Sequence, residues 1–62
     1  MMGERVELVL EPGRRIPLRV VQEEADGWVT LTTELEYEHA RLKGKDPEPL
    51  LRARSDQIEP AP

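Results

Sequence analysis

Cysteine is absent from this 62-residue chain, so neither a disulfide nor a thiolate-held metal can stiffen it. Asparagine and phenylalanine are absent too, and the aromatic complement is Trp28 and Tyr37 alone. No apolar run is long enough to span a membrane, and Met1-Met2-Gly3-Glu4 lacks the basic-then-apolar opening of a signal peptide. A cytoplasmic location is therefore the expectation. Catalytic equipment is equally sparse. His39 is the only histidine, Ser55 the only serine, and there is no Gly-rich phosphate loop or HExxH. A lone histidine with no ligand or nucleophile near it in the chain reads as an ordinary surface or half-buried residue. The expectation is a protein that is not an enzyme acting alone and uses no metal or cofactor. The alternating Glu34, Glu36 and Glu38 offer oxygen ligands, but no cation-binding loop follows, so they read as a solvated face.

What is present is charge and short aliphatic runs. Thirteen acidic residues against nine basic give a net charge of -4, which opposes nonspecific adhesion to nucleic acid or anionic lipid. The preference for Arg over Lys suits a thermophilic or GC-rich source, and codon bias explains it equally well. A chain this short buries only about 60% of its unfolded surface, so its core is scarce. Tight local packing, or cover from another copy or another protein, must supply the rest.

The aliphatic residues follow a period of two. Val6, Leu8 and Leu10 share one side of a strand, and Glu11-Pro12-Gly13-Arg14 supplies the Pro and Gly of a type II turn. Ile16, Leu18 and Val20 repeat the pattern before Asp26-Gly27, the strongest short hairpin signal in the chain. Val29, Leu31 and Thr33 resume it. Pro17 cannot donate a ladder hydrogen bond, so the second strand must be open, bulged or not yet begun at that point. Gln22-Glu23-Glu24-Ala25 reads as the wet end of the hairpin, in a loop that can exceed two residues.

Residues 34–43 carry two signals. Leu35, Tyr37 and His39 continue the alternation of Val29 and Leu31, which places a long bent strand ahead through Tyr37. Against it, Thr33-x-x-Glu36 is a capping-box pattern, Leu35, His39 and Leu42 share a helical face, and Gly44 suits a helix end. A short helix at 34–43 is the alternative. Residues 43–49 read as a loop, 50–54 as a further strand, Ile58 as a last buried anchor, and 59–62 as a disordered tail. The whole is one small all-β domain over 1–58, of four or five antiparallel strands, either a barrel or a strongly bent sheet. Its expected core is Val6, Leu8, Leu10, Ile16, Leu18, Val20, Val29, Leu31, Leu51 and Ile58.

The three alternating strands, their Pro-Gly and Asp-Gly turns, and the closing Leu51-Arg52-Ala53-Arg54-Ser55-Asp56-Gln57-Ile58 together resemble small SH3-like barrels, of which Sm-like RNA-binding proteins are one branch. The resemblance implies a barrel. It does not carry over the RNA site, because that branch's third strand normally holds an Asn and Trp28-Val29-Thr30-Leu31 has none.

Two functions follow as expectations. The first is a non-enzymatic interaction module that binds a protein or itself, motivated by the scarce core and by surplus apolar residues such as Val9, Val21 and Leu35. The second is a small RNA or single-strand binder, using a local basic segment with the two aromatic rings. Its candidate binding residues are Trp28, Tyr37, Arg41, Lys43, Lys45 and Arg52. Balancing of nearby glutamates accounts for the same cations, and Trp28 can equally cap the core.

Overall fold

A computed structural model describes residues 3–61, so Met1, Met2 and Pro62 lie outside the described residues. The elements run β1 (Arg5–Glu11), β2 (Arg14–Glu23), β3 (Trp28–Thr32), α1 (Glu34–Lys43), β4 (Leu51–Arg54), a 3-10 turn (Ser55–Gln57) and β5 (Ile58–Pro60). The five strands form one antiparallel sheet in the order β4-β3-β2-β1-β5.

That order forces curvature. In a flat sheet the edge strands β4 and β5 would stand about 19 Å apart, four strand spacings. The connection from Arg54 to Ile58 spans at most about 14 Å even when extended. The 3-10 turn can bridge the edges only because the sheet curls into a half-barrel. Its concave side holds Val6, Leu8, Leu18, Val20, Val29, Leu31 and Ala53, with Leu51 and Ile58 packed against them. The period of two places these residues on one face through the pairs Val6–Leu18, Val20–Leu31 and Val29–Ala53.

Both hairpins form at the expected turns. Gly13 and Gly27 supply the positive φ that each requires, at 83° and 80°. The second loop is longer than two residues: the Glu24 N–H donates to Trp28 O at 2.8 Å across three turn residues. Pro17 precedes Arg19, where pairing with β3 begins, so that side of β2 is open where the proline stands.

The structure corrects four expectations. Leu10 and Ile16 are not core: they are 52% and 39% exposed. The register slips between Val9 and Glu11, so Leu10 is an extra residue in a bulge at the hairpin tip, and Ile16 stands beside that tip. Residues 34–43 are helix, not a continued strand. The Thr33 hydroxyl accepts the Glu36 N–H at 3.1 Å. At the other end Gly44 is left-handed, and the Gly44 and Lys45 N–H groups donate to Arg41 O and Ala40 O, a Schellman closure. Leu35, His39 and Leu42 do share a helical face, but it points to solvent, while Tyr37 and Ala40 turn toward the sheet. Finally, Glu59 and Pro60 are not a loose tail: they pair with Glu7 and Val6, and the Ala61 N–H donates to Arg5 O at 3.1 Å.

Candidate functional site

The convex side of the sheet carries the polar chemistry, and the six candidate residues all lie on it or on the elements laid over it. They fall into two groups. Trp28 and Arg52 meet on neighbouring strands. Trp28 stands directly opposite Arg54, and Thr30 opposite Arg52, so strand alternation puts all four side chains on one face. The Arg52 guanidinium lies 4.9 Å from the centre of the Trp28 ring and that of Arg54 lies 5.2 Å away, both in cation–π range. Arg52 also grips Glu24 through two nitrogens, at 3.0 and 3.1 Å, and the Thr30 hydroxyl donates to the same carboxylate at 2.9 Å. The Thr30 hydrogen bond, and after it Arg52, hold the Glu24 carboxyl below the usual carboxylate range.

The second group surrounds the C-terminal half of α1. Tyr37, Arg41 and Lys45 line a shallow depression of about 150 Å3 with Pro47. Lys43 borders a second depression of about 240 Å3, which Lys45 shares with it together with Glu36, His39 and Glu48. Tyr37 is already stacked: the Arg19 guanidinium sits 4.5 Å from its ring centre. Arg19 in turn reaches Glu34 at 3.0 Å, and Arg41 reaches Glu38 at 2.9 Å. The Arg41 hydrogen bond holds the Glu38 carboxyl below its ordinary range. All three glutamates are therefore engaged within the chain: Arg19 also reaches Glu38, at 3.7 Å, and Glu36 accepts the Glu48 N–H at 3.1 Å. Among the described residues no set of three acidic or His side chains converges on a metal-sized site.

Between the two groups lies a wider hollow of about 510 Å3, lined by Val21, Gln22, Thr30, Asp46, Pro47 and Pro49. The structure thus brings Trp28 to Arg52 and Tyr37 to Arg41 and Lys45, but does not join all six in one patch. Lys43, Lys45 and Arg54 have no carboxylate partner among the described residues.

A further surface feature is apolar. Leu35 and Leu42 are 68% and 77% exposed, on the side of α1 opposite Ala40, and Leu50 is 61% exposed beside the Glu36 end of the helix. Leu35 stood out in the sequence as surplus; Leu42 did not. The signal for both is their separation of two helical turns, with Tyr37 and Ala40 between them on the opposite face. No helix among the described residues is long and apolar enough to cross a membrane. Compared with known proteins, the chain matches no family model, no curated protein and no solved structure.

Proposed function

We propose that the chain is a non-enzymatic interaction module that binds protein through the outer face of α1. The observation that carries this is the pair Leu35 and Leu42: two large aliphatic side chains, more than two-thirds exposed, on a helix whose other face already serves the sheet. Leaving two leucines in water forgoes about 1.5–3 kcal/mol each that burial would return. In a chain with so small a core, that surface belongs to a contact. The strand order, with a short turn joining the two edge strands, supports the resemblance to small SH3-like barrels and with it a binding scaffold.

A second reading is a single-strand RNA binder on the convex side. Lys43, Lys45 and Arg54, which meet no carboxylate among the described residues, favour it. The engagement of Trp28 and Tyr37 by the chain's own arginines weighs against it, because a base would compete with those guanidinium groups for the rings.

Photo-crosslinking in living cells separates the two. A photoreactive amino acid at position 42 is expected to give protein adducts, and one at the exposed turn position 12 none. Adducts to nucleic acid alone, or no adduct from position 42, would contradict the protein-binding reading.

A further inference from the structure

We infer that a second copy of the chain covers the outer face of α1, the two helices lying antiparallel about a two-fold axis between Glu38 and His39. The inference rests on the protein-contact reading above and names the occupant of that surface. It is carried by the order of charges along the helix, Glu34-Leu35-Glu36-Tyr37-Glu38-His39-Ala40-Arg41-Leu42-Lys43. Every negative charge falls in the first half and every positive charge in the second. Reversing the helix sets Glu34 and Glu36 at the positions of Lys43 and Arg41 and exchanges Leu35 with Leu42; Glu38 alone has no basic counterpart on the helix and is paired with Arg41 of its own chain. Glu34, Glu36, Arg41 and Lys43 are thus complemented by their own reversal, provided that the segment meets itself head to tail.

Helical geometry then fixes who faces whom. At 100° per residue, Glu36 and Lys43 flank the leucines on one side of the helix, and Glu34 and Arg41 flank them on the other. A two-fold antiparallel pair brings each flank against the same flank of its mate. Leu35 lies level with Leu42 of the partner subunit. Glu36 faces Lys43 of the partner subunit, and Glu34 faces Arg41 of the partner subunit, each pair occurring twice. The helix dipoles also oppose one another in this arrangement. A parallel pair would instead bring opposite flanks together, setting Glu36 against Glu34 of the partner subunit and Lys43 against Arg41 of the partner subunit, so the charges choose the direction. Lys43 has no carboxylate partner within its own chain among the described residues, which leaves it available for the contact.

The surface is small. A ten-residue helix spans about 15 Å, and even with Leu50 at its edge the area falls short of the roughly 800 Å2 per partner of a standard stable complex. The dimer is accordingly weak and readily exchanged.

Sedimentation equilibrium of the full chain, from about 10 µM to about 1 mM, tests this. The wild-type chain is expected to pass from monomer to dimer across that range. Leu42→Glu, which changes both copies at once, should weaken the dimer by about a hundredfold or more. Glu36→Lys and Lys43→Glu should each weaken self-association about tenfold, by placing like charges in two pairs. Mixing these two variants should restore dimerisation, because both cross-pairs regain opposite signs in the heterodimer. Circular dichroism confirms that each variant is folded, and Leu35→Glu serves in place of any that is not. A strictly monomeric wild type overturns the second copy as occupant; if position 42 then still crosslinks a different protein, the contact surface itself stands. A dimer that survives Leu42→Glu and Leu35→Glu overturns the helix pairing. A mixture no better than its components overturns the antiparallel register.

Discussion

Two apolar faces coexist in this small protein, and they have opposite fates. On the concave side of the sheet Val20 and Leu31 are shut away completely; on the outer side of α1 Leu35 and Leu42 stand in water. All four are ordinary aliphatic residues, and Leu31 and Leu35 are only four positions apart in the chain. What differs is the element each occupies and where that element's other face is already committed. β3 places Leu31 between Val20 on one neighbouring strand and Leu51 on the other. The helix that follows turns Tyr37 and Ala40 toward the sheet and leaves Leu35 and Leu42 exposed on its other side. The period of the pattern, set against the face each element turns to the sheet, decides which aliphatic residues are buried in the fold and which stay exposed.

The sharpest way to break this contrast is to hollow the inner face. Leu31→Ala removes the most enclosed side chain of the half-barrel and should cost about 2–5 kcal/mol. A core of this size rarely supplies more than about 3–5 kcal/mol in total, so the variant should be largely unfolded in urea-free buffer, read by far-ultraviolet circular dichroism. A folded Leu31→Ala chain would mean that the concave face does not dominate stability.

A smaller effect is expected where the two faces adjoin. Thr32 is buried on the convex side of β3, just before α1 begins, and its hydroxyl has no hydrogen-bond partner among the described residues. Thr32→Val keeps the shape and removes the unsatisfied group, and should stabilise the fold by about 1 kcal/mol in urea denaturation. Lower stability would show that the hydroxyl has a partner in solution.

The acid response is smaller again and belongs to the outer side. Glu24 and Glu38 are both held below their ordinary range by hydrogen bonds formed only in the folded state, from Thr30 and Arg52 in one case and from Arg41 in the other. A depressed folded value means that the contribution is complete above the unfolded value, near about pH 4.3, and is lost as pH falls through the folded values. The urea midpoint should therefore be flat from about pH 7 to pH 5 as far as these groups are concerned, and should fall below about pH 4. Glu24→Gln should lessen that fall; an unchanged acid limb would remove Glu24 from the account.

Much of the inner face was legible in the sequence, because strand alternation and turn chemistry are local. Pro12-Gly13 and Asp26-Gly27 located both hairpins, and Val6, Leu8, Leu18, Val20, Val29 and Leu31 were identified as core. Leu10 and Ile16 were not separable from that set, since a bulge adds one residue to a strand without disturbing the pattern of residue types. Ala53 escaped notice because a small side chain gives little signal of its own. The outer face was harder. At 34–37 the alternation of Leu35 with Tyr37 competed with the helix caps, and the caps prevailed because Tyr37 and Ala40, one turn apart, could meet the sheet together. Of the candidate site, the pairing of Trp28 with Arg52 depended on the β3–β4 register, which no local pattern specifies.

The division of labour between the two faces is tested most directly by urea unfolding at several protein concentrations. For the wild-type chain the midpoint should rise between about 5 µM and about 500 µM, because a partner that binds only the folded state stabilises it by mass action. The Leu35→Glu/Leu42→Glu chain should show a midpoint independent of concentration and equal to the wild-type value at the lowest concentration. A midpoint below that value would place these leucines in the fold itself, and a concentration-independent wild type would leave the outer face of α1 without a second copy to cover it.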